Sequence, residues 1–321
     1  VLDFIGNYEN NFLLPIALYG DRTYDKDFVR QLMHTNFLPG ATSVYFDTIA
    51  KEQIYKAIDT KKTLADLKDL KEAYCNMKYR LGRRPMMMDF IRIGDKDPYL
   101  FILQDKRSYY GFVQRVQPYD STITEAHQAI LTMASLELAN GKRIEDVLVL
   151  QKILQRPVVK TAEIVEQIQK KYGYTTTAET MDSVANILTL HFFVKAAQKK
   201  YGNQPLIIYE NHQYIRTDYF TALCINKEFQ QYMQDILEYA SYRFELLYVG
   251  HEKDVVQGFI RYAKYSRKDV SKLLHYEKNR EGTLNGYAIV GNTCPIFVTY
   301  NKRDDISANT KYEDKFVSSQ Q

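Results

Sequence analysis

Helical patterns followed by a short β-hairpin, between residues 143 and 217, constrain the fold more than any other part of this chain. The helical patterns are "RIEDVLVLQKIL" (143–154), "TAEIVEQIQKKYG" (161–173) and "TAETMDSVANILTLHFF" (177–193). "PLIIYENHQYIRT" (205–217) then reads as two strands about the polar turn of Glu210, Asn211 and His212. This order predicts a winged helix, in which the third helix is the one offered to the major groove of DNA.

The predicted third helix, over 177–190, has the wrong charge for that role. It carries Glu179 and Asp182, and no Lys or Arg precedes Lys195. Packing against protein is therefore at least as good an interpretation of the winged helix as DNA binding. Cations at its periphery are still able to touch phosphates; they are Lys170, Lys171, Lys199, Lys200 and Arg216.

A second pair of helices is predicted between residues 63 and 94. Thr63 as N-cap and Asp66 at N3 approach a capping box, and an apolar stripe of helical period follows. Gly82 fits the left-handed position after a helix, and Pro85 fits the first turn of the next one. Two helices joined by a short glycine-containing turn predict a helix-turn-helix, a shape that also occurs in proteins that bind no nucleic acid.

Basic residues cluster at that turn and again in the tail. The net charge of +4 is too small to prove a nucleic-acid partner, but "RYAKYSRKDVSK" (261–272) holds five basic residues and one acid. We predict phosphate contacts from both clusters, the alternative being ordinary solvated side chains. The residues are Arg80, Arg83, Arg84, Lys106 and Arg107, and in the tail Arg267, Lys268 and Lys272.

The tail is predicted to form a small β-containing module. Ser266 and Asp269 make a capping box before a short helix, and "LNGYAIV" (284–290) and "CPIFVTY" (294–300) read as a hairpin. Its aromatic residues, Tyr287, Phe297 and Tyr300, form a candidate pocket that inspects a base. The same rings would equally fill a small β core.

Composition and motifs exclude several classes of function. An apolar fraction of 45% and a charged fraction of 26% are typical of an ordinary globular protein, and no apolar run is long enough for a membrane span. Three distant cysteines and six scattered histidines predict neither a disulfide framework nor a metal site. No phosphate-binding loop or nucleophile motif is present. A nuclease built around Glu210 is the weakest alternative, because no second acid with a lysine follows.

Several stretches resemble one bacterial family. "VLDFIGNYENNFLLPIAL" is similar to the segment directly after motif VI in superfamily 2 DEAD/DEAH-box helicases of the type III restriction-subunit kind. The resemblance continues in "YFDTIAKEQIYKAID", "LKDLKEAYCNMKYRLGRRPMMMDF", "SYYGFVQRV", "GTLNGYAIV" and "CPIFVTYNKRDDISANTKYEDKF". These are similar to a domain of unknown function that trails such helicases, sometimes with a phospholipase-D-like nuclease in front.

The resemblance implies a motor elsewhere in the polypeptide. The family's ATPase motifs would precede Val1, so ATP and Mg²⁺ are expected for the upstream RecA-like domains and no cofactor for this fragment. Residues 1–7 would be the last strand of that motor. The implied partners are DNA, duplex or single-stranded, the helicase domains and a nuclease module, with no membrane, in the cytoplasm.

We therefore expect an α+β, mostly helical fragment. A residual strand and linker would span 1–21, a helical helix-turn-helix-like module 22–120, a winged-helix-like module 121–248, and an incomplete β-containing tail 249–321. The first functional hypothesis is a non-catalytic accessory region that binds nucleic acid for a DNA helicase in restriction or phage defence. The alternative is a protein-interaction and autoregulatory region that contacts the motor or a partner nuclease.

Overall fold

The chain is mostly helical with one small antiparallel sheet, which confirms the predicted α+β class. The computed structural model describes residues 13–24, 29, 33, 48–60, 66–94, 96–105, 107–249, 258–259, 265–284, 286–289 and 293–297. The predicted first strand, Thr63, Lys106 and Tyr300 lie outside these residues. No described helix combines the length and the apolar character needed to cross a membrane.

The described helices that precede residue 143 have between 7 and 15 residues. They are α1 (Leu13–Tyr19), α2 (Thr48–Thr60), α3 (Leu67–Leu81), α4 (Met87–Ile93), α5 (Tyr99–Asp105), α6 (Tyr109–Val116) and α7 (Glu125–Glu137). Helices α1 and α2 belong to a small cluster of their own, in which Ile16 and Tyr19 join Ile54 and Ile58.

The predicted helix-turn-helix corresponds to α3 and α4, with two local corrections. Asp66, predicted at N3, is itself the N-cap, because its carboxylate accepts from the amide of Asp69 at 2.9 Å. Pro85 precedes the cap of α4 instead of lying in its first turn, and the helix begins at Met87. Gly82 has the predicted left-handed conformation, at φ 65°.

The predicted order of three helices and a hairpin is present, with two elements that the sequence patterns did not predict; we keep the name winged helix for residues 144–216. Its order is α8 (Ile144–Gln155), β1 (Val158–Lys160), α9 (Thr161–Tyr172), α10 (Ala178–Leu188), α11 (Lys195–Lys200), β2 (Ile207–Glu210) and β3 (Gln213–Arg216). Strand β3 lies between the other two, and Asn211 and His212 both take positive φ, so a two-residue turn joins β2 to β3. The strand β1 and the helix α11 were missed because three and six residues are too short for a period to be recognised.

A long helix organises the core. After α12 (Asp218–Leu223), helix α13 (Lys227–Tyr248) runs for 22 residues and packs against α4, α7 and α8. The hydrophobic core is continuous from Leu70 to Tyr248, and so it crosses the predicted module boundary at residue 120. The boundaries themselves stay a prediction.

The side chain of Asp235 joins α13 to the start of α4. Its carboxylate accepts from the amides of Met87 and Met88, at 2.6 and 3.1 Å, and so caps a helix that has no side-chain cap at Met86. Burial raises the pKa of the Asp235 carboxyl to about 6, although the two amides act to lower it.

We expect Asp235→Asn to change how stability depends on pH. In the unfolded chain this carboxyl has its ordinary pKa, so the folded state binds the proton more tightly. The stability it contributes is therefore complete below about pH 4 and is lost as pH rises through about 6. Urea unfolding of both proteins across this window should show the wild type losing on the order of 2–3 kcal/mol relative to Asp235→Asn. Parallel pH profiles would contradict the assignment.

Candidate nucleic-acid interface

The arginines of the turn between α3 and α4 are exposed, but each already has a structural contact. Arg83 donates from both terminal nitrogens to the carboxylate of Asp89, at 2.8 Å each. Burial opposes ionisation of Asp89, yet the hydrogen bonds from Arg83 and the Met86 amide outweigh it and lower the pKa of that carboxyl. Arg80 donates to the carbonyl oxygen of Ile93 at 3.1 Å. Arg83 thus holds the start of α4 together, whatever else it binds.

Arg84 contacts a residue that lines a polar groove next to this turn. Its guanidinium lies 3.4 Å from the ring centroid of Tyr119, and Tyr119 is part of the groove wall. The groove has a volume of about 670 Å³, within the range of ligand sites. Its lining comprises Asp105, Arg107, Ser108, Tyr110, Gly111, Gln114, Arg115, Tyr119, Asp120, Ser121, Gln128 and Thr132.

Local structure places the two arginines of the groove at opposite ends of α6. Ser108 caps this helix by accepting from the amide of Gly111, which places Arg107 just before it. Arg115 lies in its last turn, and both arginines are exposed. Neither forms an ion pair with another residue in the described part of the chain. Burial raises the pKa of the nearby Asp105 carboxyl despite the positive charges of Arg107 and Arg115.

Tyr119 is fixed by hydrogen bonds to α13. Its hydroxyl donates to the carboxylate of Glu228 at 2.6 Å and lies 3.0 Å from the hydroxyl of Tyr232. Burial and then the bond to Glu228 raise its pKa to about 12, so the hydroxyl stays protonated at neutral pH. The ring is therefore part of a neutral side chain that is held in place in the groove wall.

A further cation, Lys200, interacts electrostatically with Arg107 of this groove and with Lys268. Partial burial lowers the pKa of Lys200, Glu137 opposes this, and the positive charges of Lys268 and Arg107 lower the pKa further. Arg107 precedes α6, Lys200 ends α11 and Lys268 belongs to the tail helix α14 (Arg267–Leu273), so these charges come from three distant parts of the sequence. We call Arg84, Arg107, Arg115, Tyr119 and Lys200 the basic face.

The predicted tail cations have three different environments. Arg267 lies 5.8 Å from the ring centroid of Phe297. Lys268, 27% exposed in its side chain, donates to Glu137 at 2.9 Å. Lys272 is only 6% exposed, so a phosphate has no access to its ammonium group, and we leave Lys272 out of the surface that we propose.

Lys272 instead belongs to a buried charge network that docks the tail on the winged helix. Its ammonium contacts Asp146, and it donates to the carbonyl oxygen of Glu137 at 3.2 Å. Arg143 donates to the same Asp146 carboxylate at 2.6 and 3.0 Å. Burial opposes ionisation of Asp146, but the two cations outweigh it and lower the pKa of this carboxyl.

The docked tail also covers helix α10, the predicted recognition helix. Arg143 donates to the hydroxyl of Ser183 at 2.8 Å and to the carbonyl oxygen of Lys272 at 3.0 Å. The side chains of Thr180 and His275 are hydrogen-bonded at 3.0 Å. The charged side chains that α10 exposes to solvent are both acidic, Glu179 and Asp182.

The candidate aromatic pocket is described only in part. Tyr287 and Ile296 form an antiparallel bridge, and the amide of Phe297 donates to the carbonyl oxygen of Gly286 at 2.6 Å, as the predicted hairpin requires. Tyr300 lies outside the described residues. Elsewhere in the described part of the chain, no group of His, Cys, Asp and Glu is placed to hold a metal ion.

Two family models match the chain. One, described as a domain of unknown function (DUF8090), matches residues 70–246. The other, a domain of unknown function (DUF3427), matches residues 259–321, so the tail contains a domain of unknown function as the resemblance implied. No curated protein matches the chain. The buried network therefore joins the first matched region to the second, through Asp146 and Lys272.

We expect Asp146→Asn to destabilise the protein by about 3–5 kcal/mol, because Arg143 and Lys272 would then be buried without a counter-charge. Urea unfolding at neutral pH measures the change. The matched control is Lys171→Ala, which breaks the exposed pair with Glu245 and should cost no more than about 1 kcal/mol. Equal losses in the two variants would show that the network does not hold the tail.

Proposed function

We propose that this chain, which belongs to the DUF8090 family, is a non-catalytic accessory region that binds nucleic acid on behalf of a DNA helicase. The nucleic-acid part of the proposal is supported by the basic face, and the helicase part by the resemblance of several stretches to sequences that follow a helicase motor. A role in restriction or phage defence in the bacterial cytoplasm is proposed on the same resemblance.

The groove lined by Arg107, Arg115 and Tyr119 carries the proposal. Both arginines are exposed and form no ion pair among the described residues, so a polyanion is able to neutralise them with the release of counterions. Hydrogen bonds of its hydroxyl hold Tyr119 in place in the groove wall. Arginine, lysine and an immobilised aromatic ring are the side chains that bind phosphates and stack on bases.

The proposed partners follow from this division of roles. The basic face would hold DNA for RecA-like helicase domains in the same polypeptide, whose chemistry uses ATP and Mg²⁺. A nuclease module is a further proposed partner. No cofactor is proposed for residues 1–321 themselves.

A protein-interaction region is the second candidate, favoured by exposed apolar side chains on α3, α4 and α5. Tyr79 is 91% exposed, Leu103 54% and Ile93 43%. Exposed apolar groups of this size are typical of surfaces that contact other proteins. The acidic, covered helix α10 also fits packing better than groove reading.

We expect Arg107→Ala combined with Arg115→Ala to flatten the salt dependence of DNA binding. If each arginine contacts one phosphate, the slope of log affinity against log salt should become shallower by about 1.8 on duplex or about 1.4 on a single strand. Fluorescence anisotropy with labelled oligonucleotides over a series of salt concentrations measures both slopes. Both side chains are exposed and lack ion pairs among the described residues, so the fold should tolerate the change.

Lys71→Ala combined with Lys160→Ala is the matched control. It removes the same charge from exposed positions on α3 and next to α9, outside the groove lining, and should leave the slope nearly unchanged. Equal effects of the two double variants would reduce the binding to a general effect of net charge. If the unaltered chain binds no DNA even at low salt, the protein-interaction function replaces the one proposed.

A further inference from the structure

The winged helix cannot present its third helix to a duplex in this structure. The polar side chains of Thr180 and Ser183 on α10 are engaged by His275 and by Arg143 with the tail. Its exposed positions include Glu179 and Asp182, which phosphates repel. For α10 to bind in a major groove, the tail would have to leave it, and Glu179 and Asp182 would have to lie close to DNA phosphates that repel them.

The turn between β2 and β3 offers no substitute. It consists of Asn211 and His212 between Glu210 and Gln213, and none of these four is Lys or Arg. The hydroxyl of Tyr209 in β2 donates to Asp182 at 2.9 Å, so this strand is tied to the acidic side of α10. Duplex recognition through a wing ordinarily needs cations at this tip, facing the phosphates.

The groove on the basic face has a different shape and chemistry. It is a recess of about 670 Å³, and the bases of an intact duplex are stacked inward and cannot enter such a recess. An unpaired strand can place a base there, because its bases are free to splay out and stack on aromatic rings and guanidinium planes. The ring of Tyr119, which lines the groove and stacks with the guanidinium of Arg84 at 3.4 Å from its centroid, supplies such an aromatic surface.

The phosphates of the same strand have cations in the same groove. Arg107 and Arg115 both line it, and the charge of Lys200 interacts with that of Arg107. Gln128 adds an amide group, which is able to hydrogen-bond the edge of an unpaired base. The amide of Gln114 is already used inside the protein: its nitrogen donates to the Tyr110 hydroxyl at 3.1 Å and to the carbonyl oxygen of Tyr119 at 3.3 Å, and so it helps to hold Tyr119 in place.

We infer that the basic face binds single-stranded nucleic acid, with a base against Tyr119 and the flanking phosphates on Arg107 and Arg115. This inference rests on the proposed function and specifies its substrate class. A single strand is also the form of DNA that a helicase produces.

The test compares a single strand of about 12 nucleotides with a blunt duplex of the same length, by anisotropy with the 321-residue chain. We expect the single strand to bind at least about tenfold more tightly. Tyr119→Leu should weaken single-strand binding roughly 5–100-fold, the range for losing one base stack. Tyr79→Leu removes an exposed tyrosine outside the groove lining and serves as the matched control, with little change expected; thermal unfolding of both variants checks that they are folded.

Each outcome separates the inference from the function on which it rests. Equal or tighter binding of the duplex, still dependent on Arg107 and Arg115, overturns the inference and leaves the proposed function standing. A preference for the single strand that Tyr119→Leu does not weaken overturns the groove as the place of binding. Failure to bind either oligonucleotide at low salt overturns both.

Discussion

The pairing of the buried Asp146 carboxylate with two cations determines how the tail is placed on the remainder of the structure. The carboxylate receives one cation from its own helix, Arg143, and one from the tail, Lys272. A buried charge is tolerated only when it is paired and hydrogen-bonded, so neither cation is dispensable while the carboxylate remains. Apolar side chains slide past one another at little cost, but this triad has a single geometry that satisfies it. It sets where the tail lies against the winged helix.

The position of the tail in turn determines which surface of the winged helix is available. With the tail docked, α10 is an internal helix whose polar groups face Arg143 and His275, and the exposed remainder is acidic. The exposed cations Arg107, Arg115 and Lys200 lie on other elements, around α6 and at the end of α11. The helices and hairpin of residues 144–216 thus serve mainly to pack against the rest of the protein. The surface suited to nucleic acid is built from residues beside them.

Sequence patterns predicted the elements well and their contacts poorly. The capping residues and the spacing of apolar positions indicated α3, α9 and α10, because these signals are local. The groove is not local: Arg84 contacts the ring of Tyr119 across 35 positions of the sequence. No pattern links such residues before the chain is folded. Composition alone also could not distinguish Lys272, which is buried, from Lys268, which is partly exposed four positions earlier.

The docked tail has a thermodynamic consequence through the cations that it shares with the core. The charge of Lys268 acts on Lys200 only while α14 is seated against Glu137. If the proposed polyanion also meets this charge, it binds the seated form more strongly than the released form, and reciprocity requires that it favour seating by the same factor. Binding of nucleic acid to the basic face and attachment of the tail would then be coupled equilibria. Release of the tail would weaken the proposed binding.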